Sequence, residues 1–486
     1  MPMDSSFDAA YREFLTGFPG YAATGSLDAL RASDYARLDE LGHVYLDYTG
    51  GGLFSTSQIL RHQDLLLGSV LGNPHSGNPT SMAASELVDQ ARSAVLRFFG
   101  ADPAEHGAIF VPNASGALKL VGESFPFEPG GRYLLTYDNH NSVNGLREYA
   151  RRGGSSVTYV PVRSPELRCD ADVVLAELEK TTAGKPRLFA YPAQSNFSGV
   201  QHPLDWVAWA RERGWRVILD SAAFAPTNRL DLSRVKPDFV PLSFYKMFGY
   251  PTGIGALLFR REALDELRRP WFAGGTITVA SVQGDGWHHL APGHAGFEDG
   301  TVDYLGLPAV TIGLEHLASV GIDVIHERVM ALTGWIVRRL TAMTHSNGAR
   351  LARVFGPTDL ARRGGTIAFY LLDPDGMPFD VRALEAEAGR ARISLRTGCF
   401  CNPGDGEVAH GITRDDMALC FVGPAPAVSF EDCTETIRFS TGKTPNTMRA
   451  SLGLASNFAD AYALAAFAER FRDVPADPVT GAPKPR

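Results

Sequence analysis

The first chemical signal in this chain comes from an acid and a lysine, Asp220 and Lys246, each at the end of a short apolar run. Val217-Ile218-Leu219 stops on Asp220. Phe239 to Leu242 leads into Ser243-Phe244-Tyr245-Lys246, and Gly255 to Phe259 closes the stretch that began at Trp215. Runs this short, bounded by Gly and Pro, read as buried strands rather than helices. Strand ends are where open α/β sheets hold ligands. There an acid can keep a pyridinium nitrogen protonated and a lysine amine can form a Schiff base, the two protein partners of pyridoxal 5'-phosphate. Each residue alone also has a plain structural reading: Asp220 as a helix N-cap, Lys246 as a solvated lysine. Together, with Ser243 before the lysine and Gly249, Gly253 and Gly255 after it, the chemical reading is preferred.

The elements that must position these residues alternate strand and helix from about residue 100. Ala108 to Val111 reads as a strand, and Pro112-Asn113-Ala114-Ser115-Gly116-Ala117 opens a helix. Strand, small-residue turn and helix N-terminus form a phosphate cradle, because free N–H groups and the helix dipole favour an anion. Further strands at Tyr133–Thr136 and Leu188–Tyr191 run into Asp138-Asn139-His140 and Gln194-Ser195-Asn196-Phe197-Ser198-Gly199, with another at Val157–Val160. This alternation implies right-handed crossovers and a mainly parallel sheet. His140, Asn196 and Asp220 then share one rim, where the His140 ring can stack on a flat cofactor.

Outside that core, residues 1–45 read as a helical N-terminal segment and 46–320 as the large domain. The loop Asp47-Tyr48-Thr49-Gly50-Gly51-Gly52 is either a close-approach site for backbone or a plain turn. Ser85 to Phe99 has helical periodicity. One long helix is expected from Leu307 to about Thr344, and a smaller α+β domain over 321–473. That domain holds a strand at Thr366–Leu371, a helix at Asp380–Gly389, a strand from Ile393 running into a loop, and a last strand at Thr436–Ser440. Residues 474–486, rich in Pro, Ala and charge, read as a disordered tail.

Composition narrows the class. The chain has 486 residues, so several lobes are expected. The formal net charge of −8, with no Lys/Arg run, argues against a nucleic-acid partner. No apolar stretch nears the ~20 residues of a membrane helix, and MPMDSSFDAAYREF lacks the form of a signal peptide. Five cysteines, an odd and low count, argue against a disulfide framework and for a reducing cytoplasm. Cys169, Cys420 and Cys433 read as small buried hydrophobes. Cys399-x-Cys401 lacks a second ligand pair at zinc spacing, so no metal is assigned.

Longer motifs add a family. Asp220-Ser221-Ala222-Ala223, Leu242 to Gly253, Gly72-Asn73-Pro74-His75-Ser76, Asp138-Asn139-His140, Gln194 to Gly199 and Arg396-Thr397-Gly398-Cys399-Phe400-Cys401-Asn402-Pro403-Gly404 resemble the aminotransferase domain of molybdenum-cofactor sulfurases. That domain is a member of the class V aminotransferase and cysteine desulfurase group, and the likeness runs from about residue 25 to 455. It implies an α/β chain with the type I fold of pyridoxal-phosphate-dependent transferases. It also implies roles for single residues. Lys246 would carry the cofactor as a Schiff base, and Asp220 would meet its ring nitrogen. His140 would stack on one face, with Ala222 on the other and Asn196 near the ring hydroxyl. Ala114, Ser115 and Ser243 would hold the phosphate. Thr301 would reach the phosphate of a neighbouring subunit in a homodimer. Arg438 would grip the substrate carboxylate, and Cys401 would attack the substrate sulfur.

The chemistry so implied is removal of sulfur from L-cysteine as a Cys401 persulfide, with alanine released and the sulfur passed to a protein or small-molecule acceptor. A thiolate is the competent nucleophile, so His140 or a neighbouring cation is expected to favour it. The sequence departs from the family at Tyr245, where desulfurases commonly have His, at Ala223, where many have Gln, and at Tyr48, where the subgroup usually has His. Asp405-Gly406-Glu407-Val408-Ala409-His410 also leaves the pattern. No molybdenum-cofactor-binding domain is expected within these residues, which leaves the acceptor open. The alternatives are a class V enzyme doing transamination, β-elimination or epimerisation on another amino acid, with Cys401 a bystander, or a non-catalytic binding protein on the same scaffold.

Overall fold

The computed structural model describes residues 5–180, 184–422, 429–477 and 480–484. Its centre is a seven-stranded sheet: β1 (His106–Val111), β2 (Arg132–Thr136), β3 (Ser156–Val160), β4 (Arg187–Pro192), β5 (Arg216–Asp220), β6 (Phe239–Ser243) and β7 (Gly255–Arg260). The spatial order is β1-β7-β6-β5-β4-β2-β3. β7 runs antiparallel to both its neighbours, and the other pairs are parallel. Helices cover both faces, so the central strands are buried on two sides and read as unbroken apolar runs. All five residues of β6 are buried. The mainly parallel α/β sheet of the sequence reading is therefore present.

A second, antiparallel sheet lies C-terminal: β8 (Ala352–Phe355), β9 (Thr366–Leu371), β10 (Arg396–Gly398) and β11 (Thr447–Ser451), in the order β8-β9-β11-β10. The N-terminal segment joins this end of the molecule. Val44–Tyr45 pairs in parallel with Ile393–Ser394, and Asp47 bridges to Ser451. One apolar core runs through both sheets, from Phe14 to Val474.

Four helices matter for the site: α1 (Ala114–Ser124), α2 (Phe244–Phe248), α3 (Pro403–His410) and α4 (Phe430–Thr441). α1 starts where the Asn113 side chain accepts from the Gly116 N–H, a cap of the kind worth about 1 kcal/mol. α3 starts the same way, with Asn402 accepting from Asp405 N–H.

Several expectations are corrected. The long helix is two, Leu307–Val320 and Ile322–Ala342, bent by 69° at the break, where Gly321 has φ 90°. The strand expected at Thr436–Ser440 lies inside α4. Ser429 and Asp432 form a capping box at its start, and Gly442 closes it with φ 72°. Cys420 and Cys433 are a disulfide joining Arg414–Phe421 to α4, rather than two free hydrophobes. The tail is not disordered over its described residues. Val474 is buried, Ala476 bridges to Pro483, and Gly481 C=O accepts from Asp380 N–H at the start of the helix Val381–Arg390. Of that tail, residues 478–479 and 485–486 lie outside the described residues.

Candidate active site

The carboxyl ends of the parallel strands form the floor of a cavity. Asp220 is the last residue of β5, and its Oδ1 accepts from Ala222 N–H at 3.0 Å. Lys246 lies in α2, which follows β6 directly. The triple-glycine loop packs on this turn. Gly52 N–H donates to Tyr245 C=O at 2.9 Å, and a Cβ at Gly52 would stand 2.9 Å from the Lys246 carbonyl. The close backbone approach left open by the sequence is thus made to the lysine's own turn.

One cavity is lined by Asn113, Ala114, Ser115, His140, Ser142, Asn196, Asp220, Ala222, Ser243 and Lys246. At its α1 end, Ala114 N–H donates to Ser243 Oγ at 2.9 Å, and Ser115 Oγ lies 2.6 Å from Ser142 Oγ. Three hydroxyls gathered at the N-terminus of an 11-residue helix suit a phosphate. Burial pushes the Lys246 amine below its ordinary value, with Asp220 opposing and Arg449 reinforcing. Burial likewise lowers His140, with Asp220 opposing and Lys246 and Arg449 adding to it. The His140 imidazole is therefore biased to its neutral form, and its Nδ1 accepts from Ser142 N–H at 3.1 Å.

Cys401 is exposed and sits on a turn of unusual backbone. Phe400 and Cys401 have φ of 56° and 55°, a left-handed conformation costing about 1–2 kcal/mol per non-glycine residue. Tertiary bonds hold it. Asn141 N–H donates to Cys401 C=O at 2.7 Å, and Asn196 Nδ2 donates to Phe400 C=O at 2.7 Å. Buried Asn402 donates to Asp138 C=O at 2.8 Å and to Asn196 Oδ1 at 3.1 Å. A Cβ at Gly404 would fall 1.9 Å from Tyr137 O, so the turn lies flat on the segment leading to His140. The Asn196 amide, expected near a ring hydroxyl, thus lines the cavity and also braces the cysteine turn. Because the backbone turns left-handed here, strand alternation does not carry from Cys399 to Cys401. Cys399 is half-buried, and burial raises its thiol above the ordinary value.

The sequence reading placed the carboxylate-binding arginine at Arg438; the structure does not. Arg438 lies on α4, over the ring of exposed Phe439, and does not line the cavity. The buried guanidinium packed behind the cavity wall is Arg449 of β11. Its Nη1 donates to Asn196 C=O and its Nη2 to Asp47 Oδ1, both at 2.9 Å, and it lies 4.6 Å over the Phe400 ring. Arg449 Nε is buried with no partner among the described residues. Arg396 binds the other Asp47 oxygen at 2.7 Å. Two guanidinium groups share one carboxylate, which leaves net positive charge beside the cavity. Cys401 lies within Coulombic reach of Arg449, Arg396 and Lys246. Thr301 is exposed, accepts from Asn73 Nδ2 at 3.4 Å, and lies away from this cavity.

The sequence reading missed Arg449, Asp47 and Ser142. A signal for Arg449 existed: a lone arginine among Met448, Ala450 and Leu452 is costly to bury unless it is paired.

Comparison with known proteins decides the family. Residues 44–464 match the family described as aminotransferase class-V. The chain belongs to that family. It is 32% identical over 500 residues to a tomato (Solanum lycopersicum) protein named molybdenum cofactor sulfurase, covering 96% of this chain and 60% of that one. To the human protein of the same name it is 34% identical over 463 residues, covering 91% and 51%. The chain thus spans between half and two thirds of the length of these relatives. The apo structure of a cysteine desulfurase from Thermococcus onnurineus superposes with a TM-score of 0.72 at 22% identity, covering 91% of this chain and 97% of that one. An Escherichia coli cysteine desulfurase superposes at 0.70 with 20% identity, covering 92% and 98%. This class V member therefore shares the cysteine desulfurase fold.

Proposed function

We propose that this chain is a pyridoxal-phosphate-dependent, cysteine desulfurase-like enzyme that takes sulfur from L-cysteine as a Cys401 persulfide, releases alanine and passes the sulfur to an acceptor. One observation carries the reading: the Cys401 carbonyl is held by the N–H of Asn141, the residue after His140, and His140 lines the cavity that unites Lys246 and Asp220 with a three-serine cradle. The donor set fits the cofactor. Lys246 Nζ would tether it, Asp220 would keep its ring nitrogen protonated, and Ala114, Ser115, Ser142 and Ser243 would hold its phosphate. His140 and Ala222 would supply the walls. When bound, the cofactor provides an electron sink for a carbanion at the substrate α-carbon.

The chain's own residues supply the rest. The unpartnered Arg449 Nε and the positive Arg396–Asp47–Arg449 cluster suit the substrate carboxylate. Lys246 Nζ, biased by burial to its neutral form, is suited to take the α-proton. Cys401 Sγ receives the sulfur. Molybdenum cofactor sulfurases among the relatives support sulfur transfer as the task. The assay is alanine and sulfide release from L-cysteine by the wild type and by Cys401→Ala. Full activity in the variant would return the chain to the wider class V chemistry, with Cys401 a bystander. We further propose a homodimer in which Thr301, absent from the cavity of its own chain, completes that of a second copy.

A further inference from the structure

Behind the Cys401 turn lie four ionisable groups that the mechanism does not use: Asp138, Cys169, His202 and Asp405. Asp138, His202 and Asp405 are buried. Asp138 Oδ2 accepts from His202 Nε2 at 2.7 Å, the separation of a hydrogen bond rather than of two ligands around one cation. Asp405 Oδ2 accepts from Ser195 Oγ at 2.5 Å and from Ser198 Oγ at 3.1 Å. Two carboxylate oxygens remain, Asp138 Oδ1 and Asp405 Oδ1, both buried with no partner among the described residues. Asn402 ties their segments together, donating to Asp138 C=O at 2.8 Å and accepting from Asp405 N–H at 3.2 Å.

Two buried carboxylates close together cannot both ionise cheaply, and a buried oxygen without a partner requires an account. No lysine or arginine among the described residues pairs with either one. His202 is the nearest group able to carry a charge, and it meets the other oxygen of Asp138, Oδ2, leaving both Oδ1 atoms without a partner among the described residues. Burial holds the Cys169 thiol neutral, Tyr137 donates to Glu407, and Arg163 turns outward to Asp170. Asp405 also stands in the stretch where this sequence leaves its family's pattern. We propose that Asp405 is a positioning residue for Cys401: its carboxyl carries a proton shared with Asp138, and this bridge clamps the start of α3, and with it the Cys401 turn, to the His140 segment. Burial first, and the Asp138 charge second, push the Asp405 carboxyl well above the usual carboxylate range, as such a bridge requires.

The consequence for sulfur transfer rests on the reading of Cys401 given above; the bridge itself does not. The test uses the cofactor-loaded protein and its Asp405→Asn and Asp405→Ala variants. Asn can donate to Asp138 Oδ1 while still accepting from Ser195 and Ser198, so it imitates the protonated acid. Infrared spectra of the wild type should contain a protonated-carboxyl C=O band that shifts in D2O and is missing from Asp405→Asn. Hydrogen exchange over 399–411 should be slow in the wild type and Asp405→Asn and faster in Asp405→Ala. Sulfur transfer should fall about a hundredfold in Asp405→Ala, as for other small misplacements of a reacting group, and be restored in Asp405→Asn with its alkaline limb flattened. No carboxyl band lost in Asp405→Asn, or equal exchange in the Asn and Ala variants, overturns the bridge. Should band and exchange behave as expected while Cys401→Ala keeps full activity, the bridge stands and the sulfur-acceptor reading falls.

Discussion

Asp47 and Arg449 meet at 2.9 Å although 402 residues separate them in the chain. The N-terminal loop thus orients the guanidinium that is bonded to the Asn196 carbonyl in the cavity wall, while Arg396 takes the other carboxylate oxygen. Removing one partner of a buried ion pair costs about 3–5 kcal/mol. Arg449→Ala should therefore lower kcat/KM for L-cysteine by at least about a hundredfold and reduce the melting temperature. Arg438→Ala should leave both unchanged. Steady-state kinetics and calorimetry on the two variants decide which arginine serves the substrate.

Gly404 tests the seating of the cysteine turn. The side chain of Gly404→Ala would enter the Tyr137 carbonyl, so the turn must lift away from His140. The bound-cofactor absorbance should survive, because Lys246 and Asp220 are untouched. Persulfide formation, followed by mass spectrometry of the 399–411 peptide, should fall by about two orders of magnitude. Loss of cofactor binding in parallel would show that the turn is part of the cofactor site itself.

Lys246 and Asp405 make opposite contributions to the pH dependence of stability. The Lys246 amine is lowered in the folded chain, so the unfolded chain binds more protons between that lowered value and the ordinary lysine range. Over that window stability rises with pH. The Asp405 carboxyl is raised, so the folded chain binds more protons above the ordinary carboxylate range. Its contribution is present at low pH and lost as pH climbs through the raised value. Melting curves of the cofactor-free protein should show Lys246→Met flattening the alkaline rise and Asp405→Asn flattening the loss that begins above the ordinary carboxylate range. Unchanged slopes would contradict both assignments.

Thr301 tests the dimer. Thr301→Val should leave the mass measured by sedimentation unchanged while weakening cofactor affinity, since the expected loss is one hydrogen bond of about 1.5–3 kcal/mol to a charged group. A protein that sediments as a monomer at assay concentrations, with normal cofactor affinity, would refute this assignment.

Much of the site was legible because buried parallel strands are unbroken apolar runs, so Asp220 and Lys246 announce themselves where those runs stop. The small-residue turn after Val111 that opens α1 followed from the same logic. Ile437-Arg438-Phe439 misled because its alternation mimics a strand. Phe439 is in fact exposed on a helix fixed by its capping box and by Gly442. Arg449 stayed hidden because its partner Asp47 lies at the far end of the sequence, and local pattern carries no information about pairs so distant. The left-handed turn at Phe400 and Cys401 was equally invisible, since neither residue type prefers that conformation and tertiary bonds impose it.

The pairing of Val44–Tyr45 with Ile393–Ser394, and of Asp47 with Ser451, bears on how the chain is made. On the ribosome, the segment ending at Asp47 emerges early and has no strand to pair with until residues 393–394 have left the exit tunnel, and Asp47 has no bridge until Ser451 has. The N-terminal brace of this site is thus assembled by a slow search for contacts between distant parts of the chain.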